Sequence, residues 1–428
     1  MFNHAKRVAV IVTLAAVSAV ASPPQKLTLK DAEALALRNH PRLQAANLEA
    51  QAAGQLTREV KSADYPTAIA NLTGGAALPN SRVAAGGLNN PIILNRYSNG
   101  LELQQLITDF GRTSNLVASA RLQASAASAT TQQTQQDVLL AVDRAYYGTL
   151  RAQAVLEVAQ DTVKTRQVVV DQVQALEQSK LKSGLDLSFA QVDLAQAQLL
   201  LVQAQNDVKA AYAELADALG LPSPQPFELT NEPMPPAPAA DPTDLIATAL
   251  QSRPDLASAR FSRDSALRFA RAERDLWMPT ISAIGAAGET PLHQAVLADR
   301  YAAAGINVEI PIFNGFLFSA RHREAALRAQ AEAQNLRDLG DRVARDVRTA
   351  WLSASTAYRR LDLTTQLLNE AQQALSLAQA RYKLGLSSIV ELSQAQLNLT
   401  QAQIEQASAR YDYQSQTAAL NYQTGALH

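Results

Sequence analysis

The feature that most constrains this chain is one turn, used twice, between helix-compatible runs of great length. Arg381 to Gln396 reads RYKLGLSSIVELSQAQ. Ahead of it, Ser319 to Lys383 contains no proline, and behind it a second such run continues to Thr424. Gly385 stands where a tight turn favours a residue without a Cβ. Counting back 205 positions, Leu176 to Gln191 reads LEQSKLKSGLDLSFAQ. Leu187, Ser188, Ala190 and Gln191 match Leu392, Ser393, Ala395 and Gln396, and Asp186 matches Glu391 in charge. The chain is therefore read as two copies of one long helical hairpin. Lys180 stands where the second copy has Gly385, so the two tips need not be equivalent.

Prolines repeat with the hairpins. Thr28 can cap a short helix, with Asp31 in its first turn, that stops at Asn39-His40-Pro41. A longer helix then runs to Asp64 and stops at Tyr65-Pro66. In the second half Asp241-Pro242-Thr243 opens the short helix, Arg253-Pro254 breaks it, and Met278-Pro279 ends the next. Pro41 and Pro254 are 213 residues apart, and so are Pro66 and Pro279.

After each of these breaks the texture becomes strand-like. Thr67 to Ala77 and Thr280 to Gly288 are small-residue runs. Leu101-Glu102-Leu103-Gln104 and Ile306-Asn307-Val308-Glu309-Ile310 alternate apolar and polar. Loops at 78–96 and 289–300 separate the strands. The repeat offset falls from 213 to 205 across the first loop, and Gly100 and Gly305 keep the new spacing. Ile107 to Arg112 and Ile312 to Phe316 then lead into the long helices, with Asp109 and Asn314 as caps.

The expected organisation is a signal segment at 1–21 and a first unit at 22–220. That unit holds helices within 28–64, strands 67–77 and 97–107, and a hairpin at 112–220. A proline-rich linker follows at 221–243. The second unit, 244–428, holds helices within 244–278, strands 280–288 and 301–312, and a hairpin at 316–425. A helix from Arg112 to Ser179 would be about 100 Å long, which implies coiled-coil or bundle packing. The return helix agrees. Leu187, Leu194, Leu201, Val208 and Leu215 are seven apart, as are Ala190, Ala197, Ala204, Ala211 and Ala218, a large-and-small seam that lets helices approach closely. The hairpins end at Gly220 and Gly425. Pro222 to Pro242 contains eight prolines and reads as a non-helical linker against the helical body.

Composition narrows the function classes. A net charge of −1 argues against nucleic acid as a partner. With no cysteine there is no disulfide, thiolate metal site or cysteine nucleophile. His4, His40, His293, His322 and His428 are scattered without metal-ligand spacing. No nucleophile–base–acid set or phosphate loop is present, so an enzyme is not expected, and no cofactor is implied. Tyr146, Tyr147 and Trp351 read as helix packing, and the arginines from Arg321 to Arg348 alternate with acids as a solvated face. Lys6 and Arg7, the apolar stretch Val8 to Val20, and Ala19-Val20-Ala21 read as an export signal. No later segment is apolar enough for a membrane helix. Strands of about ten tilted residues could cross an outer membrane. Four strands, however, cannot close a barrel, and open edges are not tolerated in lipid. Closure then requires several chains.

Leu27-Thr28-Leu29 with Ala34, Asn39-His40-Pro41, the Tyr65-Pro66 break, Asp109-Phe110-Gly111-Arg112, and Arg381-Tyr382 with Gly385 resemble the TolC-like outer-membrane efflux protein family. The likeness covers nearly all of the chain beyond the signal. It implies a mainly α fold with β. Three chains would give a homotrimer with a twelve-stranded barrel in outer-membrane lipid, four strands from each, continued by a periplasmic helical barrel. It also implies an exit duct in a Gram-negative-type cell. The partners would be a periplasmic adaptor (a membrane fusion protein) and an inner-membrane transporter, in a tripartite pump or a type I secretion system.

In similar proteins the periplasmic end closes by inward coiling and opens by untwisting. The resemblance places Glu391 in a ring of acids at the constriction, with Gln394 where a second acid is usual. It pairs Tyr382 with Asp186 as a closing link. A second link uses an arginine where this chain has Ser387, opposite Leu185, and is expected to be missing. Position at the tips makes Lys180, Leu181, Lys182, Leu384, Gly385, Leu386 and Ser388 candidates for adaptor contact. Trp277, Phe110, Phe313, Phe316 and Phe318, at the helix–strand junctions, are candidates for an aromatic belt. The rival reading is a soluble periplasmic coiled-coil adaptor or scaffold. Adaptors usually carry one hairpin flanked by β-rich domains, whereas this chain carries two, each preceded by a strand pair.

Overall fold

The computed structural model describes residues 25–76, 78, 96–292 and 298–427. The expected signal at 1–21 and much of the two expected loops lie outside the described residues. Helices α1 (Leu29–Asn39) and α2 (Pro41–Lys61) meet at His40. Thr28 Oγ1 accepts the Asp31 amide at 3.2 Å, which starts α1. His40 Nδ1 accepts the Arg42 amide at 3.2 Å, and Pro41 fills the first position of α2, where a missing N–H does no harm. One residue thus ends one helix and caps the next. The break before a proline recurs where α5 (Thr243–Ser252) meets α6 (Pro254–Arg274), but there the Arg253 side chain makes no capping bond. In both units a short 3₁₀ turn, Ser62–Asp64 or Asp275–Trp277, takes up the remainder of the expected helical span.

Strands β2 (Thr67–Gly75), β3 (Arg96–Thr108), β5 (Thr280–Leu292) and β6 (Arg300–Glu309) form one antiparallel sheet in the order β2-β3-β5-β6. Their lengths differ from those expected. β5 runs past 288 because Glu289 pairs with Asn99 on one side and Arg300 on the other. The Arg300 side chain also reaches Glu289 at 3.0 Å. β6 stops before 312 because Pro311 has no N–H to give to a ladder. β2 ends at Gly75. Leu101 and Leu103 stand on one face with Ile306 and Val308, and all four are exposed. At the centre, Gly100 pairs with Gly288 beneath the Tyr301 hydroxyl, and a Cβ on either glycine would collide with it.

Two 67-residue helices leave the sheet: α3 (Arg112–Gln178) and α7 (Leu317–Lys383). Each returns through a shorter partner, α4 (Gly184–Ala218) or α8 (Ile389–Thr424). The alanine seam is real: Ala190, Ala197 and Ala204 are buried. With so little side chain between them, helices pack closely while the core stays thin.

The middle of the molecule adds contacts to the sequence reading of a non-helical linker against the helical body. The linker is not wholly irregular, for Phe227–Leu229 (β4) pairs in parallel with Gln25–Leu27 (β1). The linker also lies across the helices as a strap. Its prolines have no N–H, so its carbonyls seek donors from elsewhere. The Tyr146 hydroxyl sits at 2.9 Å from the Leu27 carbonyl and 2.7 Å from that of Thr230, and it accepts the Thr230 amide at 3.1 Å. Gln414 Nε2 donates to the Glu232 carbonyl at 3.0 Å, Trp351 Nε1 to that of Ala239 at 2.8 Å, and the Tyr413 hydroxyl to that of Pro236. Tyr146, read from sequence as a packing residue, is packed in the core, and both it and Trp351 also serve as hydrogen-bond anchors for this collar. Beneath it lies a core of Leu27, Ala36, Val142, Tyr146, Leu215 and Phe227.

Candidate functional site

Both hairpin tips are built by the same backbone device. α3 ends with the Leu181 amide bonded back to the Leu176 carbonyl at 2.8 Å, and α7 ends with Leu386 bonded to Arg381 at 2.8 Å. Each closure needs a left-handed residue in between. Gly385 adopts φ 71° and Lys180 adopts φ 59°. The lysine therefore takes the conformation the glycine takes, so the two tips share one backbone turn. The conformation is unfavourable for a residue with a Cβ, by about 1–2 kcal/mol.

The side chains distinguish the tips. Ser183 caps α4 in a reciprocal box: its Oγ accepts the Asp186 amide at 3.2 Å, and its own amide donates to Asp186 Oδ2 at 3.1 Å. The Asp186 carboxylate is thus held within its own turn. Ser388 caps α8 more loosely, with the Glu391 amide at 3.4 Å. Glu391 does not close a box. Its Oε1 instead accepts Arg381 Nε at 3.1 Å, and Arg381 Nη2 also donates to the Leu386 carbonyl at 3.3 Å. Arg381 therefore braces the second tip from α7 to α8. Its sequence signal was present in the Arg381-Tyr382 pair, but the partner lies across the turn and no helical spacing points to it. Gln394 Nε2 donates to Asn398 Oδ1 at 2.9 Å, one turn on.

Tyr382 and Asp186 are not hydrogen-bonded to each other within the chain. The Tyr382 ring is 8% exposed, and its hydroxyl has no hydrogen-bond partner. Burial raises its pKa, and the Asp186 charge adds to the rise. Lys182 Nζ lies 4.1 Å from the ring centroid, a cation–π contact that joins the two tips. Around Tyr382 a groove of about 980 Å³ opens between α3 and α7, with Val173, Lys182, Leu384 and Gly385 in its wall. The rim is apolar and open: Leu181 is 70% exposed and Leu384 74%, with Leu386 similar. A cluster of exposed leucines at the end of a rod is the kind of surface that a partner covers.

At the other end, aromatic rings gather where the sheet meets the helices. Trp277 and Phe318 pack edge-on at 5.7 Å between centroids, as do Phe313 and Phe316 at 5.7 Å. Phe110, Phe313, Phe316 and Trp277 are exposed. Among the described residues no cluster of three or more potential metal ligands occurs, and no helix is long and apolar enough to cross a membrane.

Known proteins share this architecture. The chain superposes on the CusC channel with a TM-score of 0.80 at 21% identity, over 93% of this chain and 92% of that one. On the open-state MtrE outer membrane channel of Neisseria gonorrhoeae the TM-score is 0.77 at 21% identity, covering 93% and 89%. In sequence it is 25% identical to the alkaline protease secretion protein AprF of Pseudomonas aeruginosa, over 94% of this chain and 85% of the relative. It is 23% identical to outer membrane protein TolC of Escherichia coli, over 77% and 68%. The profile described as outer membrane efflux protein matches residues 34–221 and again 245–426. The chain belongs to the outer membrane efflux protein family.

Proposed function

We propose that this chain is the outer-membrane exit duct of a tripartite efflux pump or type I secretion system, working as a homotrimer. The observation that carries the reading is the sheet. Its edge strands β2 and β6 have free ladders, and the Leu101–Leu103–Ile306–Val308 face is exposed. Such a sheet is untenable alone in water or lipid. Edge-to-edge joining of three copies would close a barrel of twelve strands, with its apolar face toward lipid and the exposed aromatic rings at the inner boundary. The helices would then line a periplasmic tunnel. The two matches to one family profile support a duplicated chain, units 22–220 and 244–428 joined by the strap.

In this reading the tips are the gate and the docking surface. Glu391 from each chain would ring the constriction and favour cations, with Gln394 adding no charge. Tyr382 and Asp186 would act where the two hairpins separate. Lys180, Leu181, Lys182, Leu384, Gly385, Leu386 and Ser388 would meet a periplasmic adaptor, which in turn engages an inner-membrane transporter. Named relatives include a protease secretion protein and a toluene efflux pump protein of Pseudomonas putida, so cargo choice is assigned to the partners.

The test is closure of the sheet. The chain has no cysteine of its own, so paired cysteines scanned along β2 and β6 report only the engineered contact. Disulfide-linked trimers in outer membranes are the expected result. Monomers at every register, with the protein soluble in the periplasm, would favour a scaffold instead.

A further inference from the structure

Arg166 is a buried cation without a partner among the described residues. It lies on α3 at 6% exposure, and its Nη1 is enclosed with no hydrogen bond. Among the described residues no carboxylate sits within ion-pair distance of it. Burial lowers its pKa, an effect that the field of Asp193 only partly opposes. A guanidinium does not escape this situation by losing its proton. A charge enclosed in this way is unfavourable unless an anion meets it.

The space beside it is shaped to admit one. A cavity of about 340 Å³ lies between α3, α4 and α8, with Arg166 and Thr400 in its wall. Phe189, Leu200, Val390 and Leu397 supply apolar surface. The volume falls at the lower end of small-molecule pockets, which run from about 300 Å³ upward. Asp193, also in the wall, disfavours a second negative charge.

We propose that this cavity binds a small organic monoanion, its carboxylate against Arg166 and its apolar body against Phe189, Leu200, Val390 and Leu397. The site rests on the geometry of a single chain and does not depend on conduction, so its failure would leave the duct reading untouched.

The test uses the full-length protein in dodecyl maltoside, a detergent without charge, and 4-bromobenzoate as probe. Titration calorimetry should show saturable binding of one probe per chain. Soaked crystals should show anomalous bromine density in the cavity with the carboxylate on Arg166. Arg166→Met should weaken binding at least tenfold, while Lys164→Met on the exposed face of α3 should leave it unchanged. Leu200→Trp fills the cavity without touching the charge and should also abolish binding, which covers the case in which Arg166→Met does not fold. Equal binding by wild type and Arg166→Met would overturn the proposal. So would binding at crystal concentration only. It would also fall if Asp193, or a carboxylate of a neighbouring copy, were seated on the guanidinium in crystals without probe.

Discussion

The collar and the tips are made from the same helices, yet they settle their polar groups in opposite ways. At the collar, hydroxyls, an amide and an indole are drawn into the strap: Tyr146 meets Leu27 and Thr230, Gln414 meets Glu232, and Trp351 meets Ala239. At the tips, the Tyr382 hydroxyl has no partner among the described residues, Arg381 meets Glu391 directly at the surface, and three leucines stand exposed. The collar is held by side chains bonded to backbone far away in sequence. The tips are held by turns, caps, one surface ion pair, the Lys182–Tyr382 cation–π contact and a small local core that includes Val173, Ala378 and Leu392. A rod that is pinned at its middle and lightly fastened at one end can bend there without coming apart. That is the mechanical requirement of an end that opens.

The comparison can be broken first at the collar. Tyr146→Phe would remove the hydroxyl that serves two carbonyls and one amide and should destabilise the collar by about 1–3 kcal/mol. Hydrogen exchange at the Thr230 amide would register the loss, while tip amides should be unaffected. A pH effect should be confined to the same region. Burial, followed by the charge of Glu33, raises the Asp143 pKa to about 8; burial also raises Glu33, with a smaller push from the charge of Glu232 on the strap. The folded chain then holds a proton that the unfolded chain releases near the ordinary carboxyl pKa of 3.8. This contribution to stability is full below 3.8 and is lost as pH rises toward 8. Collar melting should therefore be lower near pH 8.5 than near pH 5.5, roughly the upper end and the lower part of that window, and Asp143→Asn should flatten the difference.

Smaller effects sharpen the contrast between the tips themselves. Gly385→Ala should weaken the second tip by about 1 kcal/mol, because φ 71° disfavours a Cβ although nothing crowds it. Lys180→Gly should strengthen the first tip by a similar amount, roughly 1 kcal/mol. Amide exchange at Leu386 and Leu181, the two residues that close the turns, would report both. Ser183→Ala should cost about 1 kcal/mol, through the loss of its reciprocal box, and Ser388→Ala only a few tenths, about 0.3 kcal/mol. An equal effect of the two serines would mean that the box adds nothing.

The smallest stability change, under about 1 kcal/mol, is expected for Arg381→Gln, since exposed ion pairs contribute little. Its effect on conduction should be larger. Freeing Glu391 should raise the cation-to-anion permeability ratio in bilayers on the order of twofold, and Glu391→Gln should lower it. Unchanged ratios in both variants would remove Glu391 from the constriction.

The parts of this architecture legible in sequence were those set by local rules. Pro41, Pro66, Pro254 and Pro279 mark helix boundaries because proline removes a donor. The seven-residue spacing of Ala190, Ala197 and Ala204 predicts a close-packed seam, and Gly385 marks a turn. What could not be read were the contacts that join distant segments. Tyr146 anchors a carbonyl 84 residues away and Gln414 one 182 residues away, so neither spacing nor composition singles them out from packing residues. The short parallel pair β1–β4 escaped notice because three-residue strands carry no alternation. At the tips, Asp186 and Glu391 were identifiable as acids at matching positions of the two hairpins. Their divergent fates, one in a box and one on Arg381, depend on side-chain reach across a turn. Arg166 gave no signal at all, since an arginine on a long helix ordinarily faces water.

The most direct measurement of the central claim is electron microscopy of the protein extracted from outer membranes in mild detergent. The duct account predicts threefold particles with a detergent belt around the sheet end and a helical stem of about 100 Å. Soluble material, or thin rods without a belt, would contradict it and leave the helical hairpins as a scaffold.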